Sequence, residues 1–489
     1  MHILATQPRH FLTTLSQIAA SMTHSLPPRA SSAILTLPER FFDRVEAASF
    51  PEHILRFRNH RAAPSIGLES LTDAQWIEHF GRFKPLPGNL QTPLALRYHG
   101  HQFRSYNPDL GDGRGFLFAQ FLEAGTGRLM DLGTKGTGQT PWSRRGDGRL
   151  TLKGAVRELL ATEMLEARGV NTSRTFSIIE TGEKLQRHDE PSPTRAAALV
   201  RLSHSHIRFG AFQRLTYLKD TEGVLELLKY CAKHYYPDLE GLANDQLAEG
   251  FLEEVIDAKA RTVAGWMSAG FVHGVLNTDN MNITGESFDY GPWRFLPYVD
   301  PSFTAAYFDH SGLYAYGRQP GAVLWNLARL AETLLPWTTQ ERAQRLLEDF
   351  NLKVIRYWQL HFLKILGVRP TVPAEDGRTM QGAMNFLESA RVPYDQFLFD
   401  WYGGSQSEER ALAGPNASFY QGELYLEFRD ALRAHPPCPE TDISKPYIQA
   451  GKAATLHIDH VEAVWAPIAL KDDWSLLHET IERIRQSAI

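Results

Sequence analysis

Two hydrophobic periods divide this chain. From Tyr98 to Lys135 short apolar runs alternate with glycine turns: "RGFLFAQFLE" and "RLMDLGTK" flank "AGTG", the pattern of a β-hairpin. At Leu152 the spacing becomes helical. Leu152, Val156, Leu159 and Leu160 share a face, and Gly169 stands where a C-cap belongs. "RAAALVRLSH" reads as a further strand. Beyond about Ala211 helical runs dominate, the clearest being "GVLELLKYCAKHYY", "LEEVIDAKARTVAGWM" and "AVLWNLARLAETLL". The change of period predicts an α+β chain of 489 residues in three parts: an N-terminal extension (1–93), a β-rich lobe (94–215) and a helical lobe with a C-terminal extension (216–489). The opening extension reads as short helical patterns and loops, punctuated by "SLPPRASS" and "FKPLPGN".

Hydrophobic residues make up 43% and charged residues 22%, enough to bury a sizeable core. The net charge of −5 argues against a general polyanion binder, so no nucleic-acid partner is expected, and phosphate chemistry must rest on local cation clusters. Cys231 and Cys438 offer neither a metal spacing nor a disulfide framework, which points to a reducing compartment. No run approaches the roughly 18 consecutive apolar residues of a membrane helix, and no membrane partner is expected. The first 38 residues lack Asp and Glu. We read them as an ordinary bacterial N-terminus and the protein as cytoplasmic; a transit peptide, and hence a mitochondrial protein, is the alternative.

The stretch "DLGTKGTGQTPWSRRGDGR", Asp131 to Arg149, crowds glycines and cations into two polar turns, as a phosphate cradle requires. Upstream, "LGDGRGFLFAQ" alternates Gly111, Gly113 and Gly115 around Arg114 before a strand. Lys135 follows Gly113 by 22 residues, at the end of the second hairpin strand, where the glycine turn would cover it. Glu158 lies 23 residues further on, beside the apolar stripe of its helix, placed to pair with the Lys135 ammonium. Arg201 and Arg208 in "VRLSHSHIRFG" suggest an anion clamp. His204 and His206, two apart without further ligands, read as structural, as do the histidines of "YHGHQF" and "HIDH".

"HGVLNTDNMNITGESFDYG" joins Asp279 to Asn280 and places Asp289 ten residues after Asp279. Asn and Asp oxygens on neighbouring loops suit Mg²⁺ shared with substrate phosphates. Glycine loop, lysine, glutamate, then Asn and Asp is the order of parts in a protein kinase. One part is displaced. A kinase carries its catalytic Asp five positions before the metal-binding Asn, and here that position is Val275. Asp279 is the only nearby carboxylate, so ordinary γ-phosphoryl transfer is not expected.

"LPERFF", "GHQF", "LGDGR", "GQTPWSRRGDGR", "SHIRFG", "HGVLNTDNM", "DYGP" and "QPGAVLWNLARLAETLLP" resemble the selenoprotein O family, also called the YdiU family, from about Leu37 to Pro336. The resemblance implies a protein-kinase-like fold, once classed as a pseudokinase, that binds ATP flipped relative to kinases and transfers AMP to hydroxyl side chains of proteins, itself included. By motif it implies nucleotide contacts at Gly111, Gly113, Arg114, Lys135, Asp147, Gly148, Arg201, Arg208 and Asp289. It implies Asp279 as proton acceptor, and Mg²⁺, with Mn²⁺ as the alternative, on Asn280 and Asp289. Competing readings are a UMP transferase or a kinase on the same fold, and a nucleotide-binding regulatory scaffold. "RSYNPD" and "DLGTKGTG" depart from the commoner "GVWAGQ" and "DLQLKGAG", and no cysteine lies near Ile489 for a terminal redox switch.

Overall fold

The computed structural model describes residues 27–489. The acid-free N-terminal reading falls largely on residues 1–26, outside the described residues. Architecture is α+β: a mainly antiparallel sheet precedes a series of helices. Seven strands form its path: β1 Phe42–Arg44, β2 Ile54–Arg58, β3 Leu94–Leu96, β4 Leu117–Leu122, β5 Leu129–Lys135, β6 Arg174–Leu185 and β7 Thr194–Ser203. They lie side by side in the order β1-β3-β4-β5-β7-β6-β2.

β4 and β5 form the expected hairpin, with Leu122 opposite Leu129 and Leu117 opposite Gly133. Gly125 and Gly127 take the left-handed conformations that the tight "AGTG" turn demands. The segment before Pro93 differs from its reading as helices and loops. It supplies β1 and β2, and Ala30–Ser31 adds a short strand beside β4. These runs are too short to show a period, and their pairing comes from strands distant in the chain.

Among the helices are α1 Asp73–Phe80, α2 Leu152–Ala167, α3 Phe209–Tyr217, α4 Thr221–Tyr235, α5 Asn244–Ala269 and α6 Gln319–Glu332. Thr151 caps α2 by accepting the Gly154 N–H at 3.1 Å. The apolar stripe of α2 packs on β6 and β7 and joins a core that continues through α4, α5 and α6. A second core lies on the other side of the sheet, where Trp76 and Phe80 of α1 meet Phe118 and Phe176. Two C-terminal helices, Ile458–Lys471 and Ser475–Gln486, return to pack on α2. No helix among the described residues is long and apolar enough to cross a membrane. Cys231 and Cys438 are both unpaired.

Candidate active site

Two glycine-rich turns meet over the ends of β4 and β5. Gly111 lies so close to the Trp142 indole that a β-carbon would stand 2.4 Å from Cγ. Trp142 is anchored in turn, its Nε1 donating to Asp43 Oδ2 at 2.8 Å. Thr140 Oγ1 donates to the Asp112 carbonyl at 2.5 Å and fastens the second turn to the first. Gly148, at φ 68°, touches the Gly138 backbone, which a β-carbon would approach to 2.2 Å. Glycine is needed here so that the turns can touch one another, and together they wall a cavity of about 780 Å³.

Eight cationic side chains and four carboxylates line that cavity, an imbalance suited to a polyanion. Gly111, Gly113, Arg114, Lys135, Asp147, Gly148, Arg201, Arg208, Asp279, Asn280 and Asp289 all line it. Glu158 stands behind Lys135. β5 ends on Lys135, and its Nζ meets Glu158 Oε2 of α2 at 2.6 Å with both side chains buried. Burial lowers the Lys135 pKa, and the Glu158 carboxylate opposes that shift.

Arg201 lies two residues before the end of β7, and Arg208 precedes α3. The segment around Arg208 runs alongside the loop after Asn280: Phe209 N donates to Met281 O at 2.8 Å and Ile283 N to Ile207 O at 3.0 Å. This pairing draws the cations to the "TDN" loop. Arg201 Nη1 reaches Asp289 Oδ1 at 2.5 Å, and Arg208 Nη1 donates to Asp289 Oδ2. Arg208 Nη1 also donates to the Asp279 carbonyl at 3.1 Å. The Phe288 ring lies 5.1 Å from the Arg201 guanidinium and 4.7 Å from that of Arg208, while Tyr98 lies 4.6 Å from Arg208.

The two aspartates differ sharply. Burial would raise the Asp289 pKa, but Arg201, Arg208 and Lys135 outweigh it and hold the carboxyl well below its ordinary range. Its backbone is left-handed at φ 60°, a strained state for a non-glycine residue. Asp279 is buried more than it is compensated, and its pKa is pushed up to about 7. Its Oδ1 is buried without a hydrogen-bond partner. A carboxylate whose pKa lies near neutrality and that joins no ion pair among the described residues can accept a proton.

Asn280 turns its amide nitrogen to the Val275 carbonyl at 3.0 Å, which leaves Oδ1 for the cavity. Among the described residues no three His, Cys, Asp or Glu side chains form a metal cluster. An amide oxygen and a carboxylate are ligand types that suit Mg²⁺, which keeps water and phosphate oxygens as its other ligands; here Arg201 and Arg208 occupy both Asp289 oxygens, and a metal would share them. Asp147 pairs with Arg187 at 2.8 Å on the cavity wall. His206 Nε2 accepts from Arg201 Nε at 3.1 Å, and His204 Nδ1 meets the Leu129 carbonyl at 2.7 Å; both serve as scaffold.

Sequence reasoning missed Tyr98, Asp112, Trp142, Arg187 and Phe288. Phe288 adjoins Asp289 and could have been picked from "SFDYG". Arg187, in "LQRHDEPSP", carried no local signal.

The family model described as "Protein adenylyltransferase SelO" matches residues 27–485. The chain is 41% identical over 471 residues to "Protein nucleotidyltransferase YdiU" of Synechocystis sp., covering 93% of this chain and 97% of that protein. It is 42% identical over 465 residues to the protein of that name from Trichodesmium erythraeum, covering 92% and 97%. The likeness to the one from Photobacterium profundum is 33% over 403 residues, covering 79% and 75%.

Proposed function

The chain belongs to the SelO family and is a nucleotidyltransferase; from that premise we propose that it moves AMP from ATP to Ser, Thr or Tyr hydroxyls of proteins, itself included, on a two-lobed kinase-like scaffold. The observation that carries this reading is Asp279, a buried carboxylate with an unengaged oxygen one residue before Asn280, while the kinase base position holds Val275.

In this reading Arg201, Arg208 and Lys135 take the β- and γ-phosphates, so ATP lies flipped and its α-phosphorus faces Asp279. Gly111, Gly113, Arg114, Asp147 and Gly148 line the rest of its length. The acceptor hydroxyl oxygen bonds to the α-phosphorus, and its proton passes to Asp279. The bond from the α-phosphorus to the bridging oxygen breaks, and pyrophosphate leaves with the electron pair. Mg²⁺ on Asn280 and Asp289, with Mn²⁺ as the alternative, would neutralise phosphate charge. Unpaired cysteines fit a reducing cytoplasm.

Incubation with ATP labelled at the α- or γ-phosphate tests the reading. Retained α-label on protein is expected; γ-label alone would make the protein a kinase, and label from UTP in preference to ATP would make it a UMP transferase.

A further inference from the structure

Three exposed aromatic rings cluster at the tip of the hairpin whose Gln102 lines the cavity. Phe103, Tyr307 and Phe308 are 38%, 81% and 42% exposed, yet they touch: ring centroids are 5.9 Å apart for Phe103 and Phe308 and 5.1 Å for Tyr307 and Phe308. Phe103 and Arg104 form the tip of a hairpin between the short strands Gly100–Gln102 and Ser105–Asn107. Both tip residues are left-handed, at φ 48° and 65°, a conformation that disfavours a bulky side chain.

What holds the strained tip is the loop leading into Asp279. Phe103 N donates to Asn277 Oδ1 at 3.0 Å and His101 N to Thr278 Oγ1 at 2.7 Å. The Phe103 ring lies 5.1 Å from Tyr314, whose hydroxyl donates to the same Asn277 Oδ1 at 2.8 Å. Gly100 presses on Asp279, where a β-carbon would stand 3.1 Å from Asp279 Cβ. Strain is thus spent on presenting a ring at the lip of the site. Arg104 lies over Trp325 at 5.7 Å and joins no ion pair among the described residues. Arg144 lines the cavity and acts electrostatically on Asp279. The lip is therefore aromatic and positively charged.

We infer that Phe103, Tyr307 and Phe308 form the docking ledge for the acceptor, an extended protein segment that lays an apolar side chain on the rings and an acidic one against Arg104, with its hydroxyl reaching Asp279. The inference rests on the nucleotide-transfer reading and names its substrate class. Two peptides test it, each with a single serine, flanked by Phe and Asp in one and by Gly and Lys in the other. With α-labelled ATP, the wild-type protein is expected to label the first with at least about tenfold higher kcat/KM, and Tyr307→Ala/Phe308→Ala to lose that advantage through KM while Mg·ATP affinity is unchanged. Arg104→Glu should reverse the preference for the acidic flank. Equal labelling of both peptides, or labelling of the protein itself but of neither peptide, overturns the ledge. If α-label goes nowhere, the transfer reading fails, and fluorescence-polarisation binding of the two peptides decides the ledge alone, equal affinities counting against it.

Discussion

Arg201 and Asp289 meet at 2.5 Å, Nη1 to Oδ1, with both side chains largely out of water. Arg208 takes the other oxygen of the same carboxylate. Asp289→Ala leaves Arg201 only Glu158, at 3.8 Å, and Arg208 only Asp112, at 3.4 Å, so the cost should fall at or below the about 3–5 kcal/mol of a fully broken buried pair. The nucleotide-free variant should show a lowered thermal midpoint that triphosphate partly restores, and transfer should be lost if Asp289 holds the metal as proposed. An unchanged midpoint together with full activity at low Mg²⁺ would make this cluster irrelevant to the site.

Lys135 and Glu158 are expected to act as a unit. Lys135→Met should weaken Mg·ATP binding, and Glu158→Gln should lower transfer by about tenfold or more, because an ammonium without its partner wanders from the phosphates. Calorimetric titration with Mg·ATP and α-label incorporation measure both. Wild-type values in both variants would remove the pair from the mechanism.

Asp279→Asn separates chemistry from binding. Loss of a general base typically costs about 10²- to 10⁴-fold in rate, so the variant should bind Mg·ATP nearly as wild type and transfer little AMP. Arg201→Ala and Arg208→Ala should instead lose ATP affinity. Wild-type transfer by Asp279→Asn would end the flipped-nucleotide reading.

Lys259 predicts a pH signature of stability. It is 1% exposed, its Nζ lies 3.1 Å from Asn282 Oδ1, and burial pushes its pKa down to about 7. Between about 7 and the ordinary 10.5 the folded chain binds fewer protons here than the unfolded one. Stability therefore rises with pH in that window, by up to about 1.4 kcal/mol per pH unit. Lys259→Met should abolish the rise and be more stable than wild type at pH 7, with the gap closing toward pH 10. Parallel urea-denaturation curves for the two proteins across that range would refute it.

Arg485, on the last helix, clasps the buried Glu163 of α2 through two bonds of 2.7 and 2.8 Å. Arg485→Ala should destabilise the chain by about 1–3 kcal/mol, less than a fully buried pair because Arg485 is partly solvated and Arg61 remains near Glu163. A urea midpoint equal to wild type would show that the C-terminal helices do not brace α2.

Local signals made much of this protein legible. Alternation marked β4 and β5, helical spacing placed Glu158 on α2, and composition singled out the "TDN" and "FDYG" loops, which the structure brings to one cavity. Each can be read within about a dozen residues because it reflects backbone geometry. Strands β1 and β2 could not be read, since a three- or five-residue run has no period and its pairing energy comes from remote strands. Nor could the environment of Asp289. Its contact with Arg201 spans 88 positions, and depends on the run at Ile207 lying alongside the one at Met281. The same holds for Phe103, whose strained turn exists only because Asn277 and Thr278 hold it. Residue types and their order determined what chemistry was available; which charges are paired, how deeply Asp279 is buried and which rings face water were decided by tertiary structure, because burial and long-range contact set electrostatics that no local window contains.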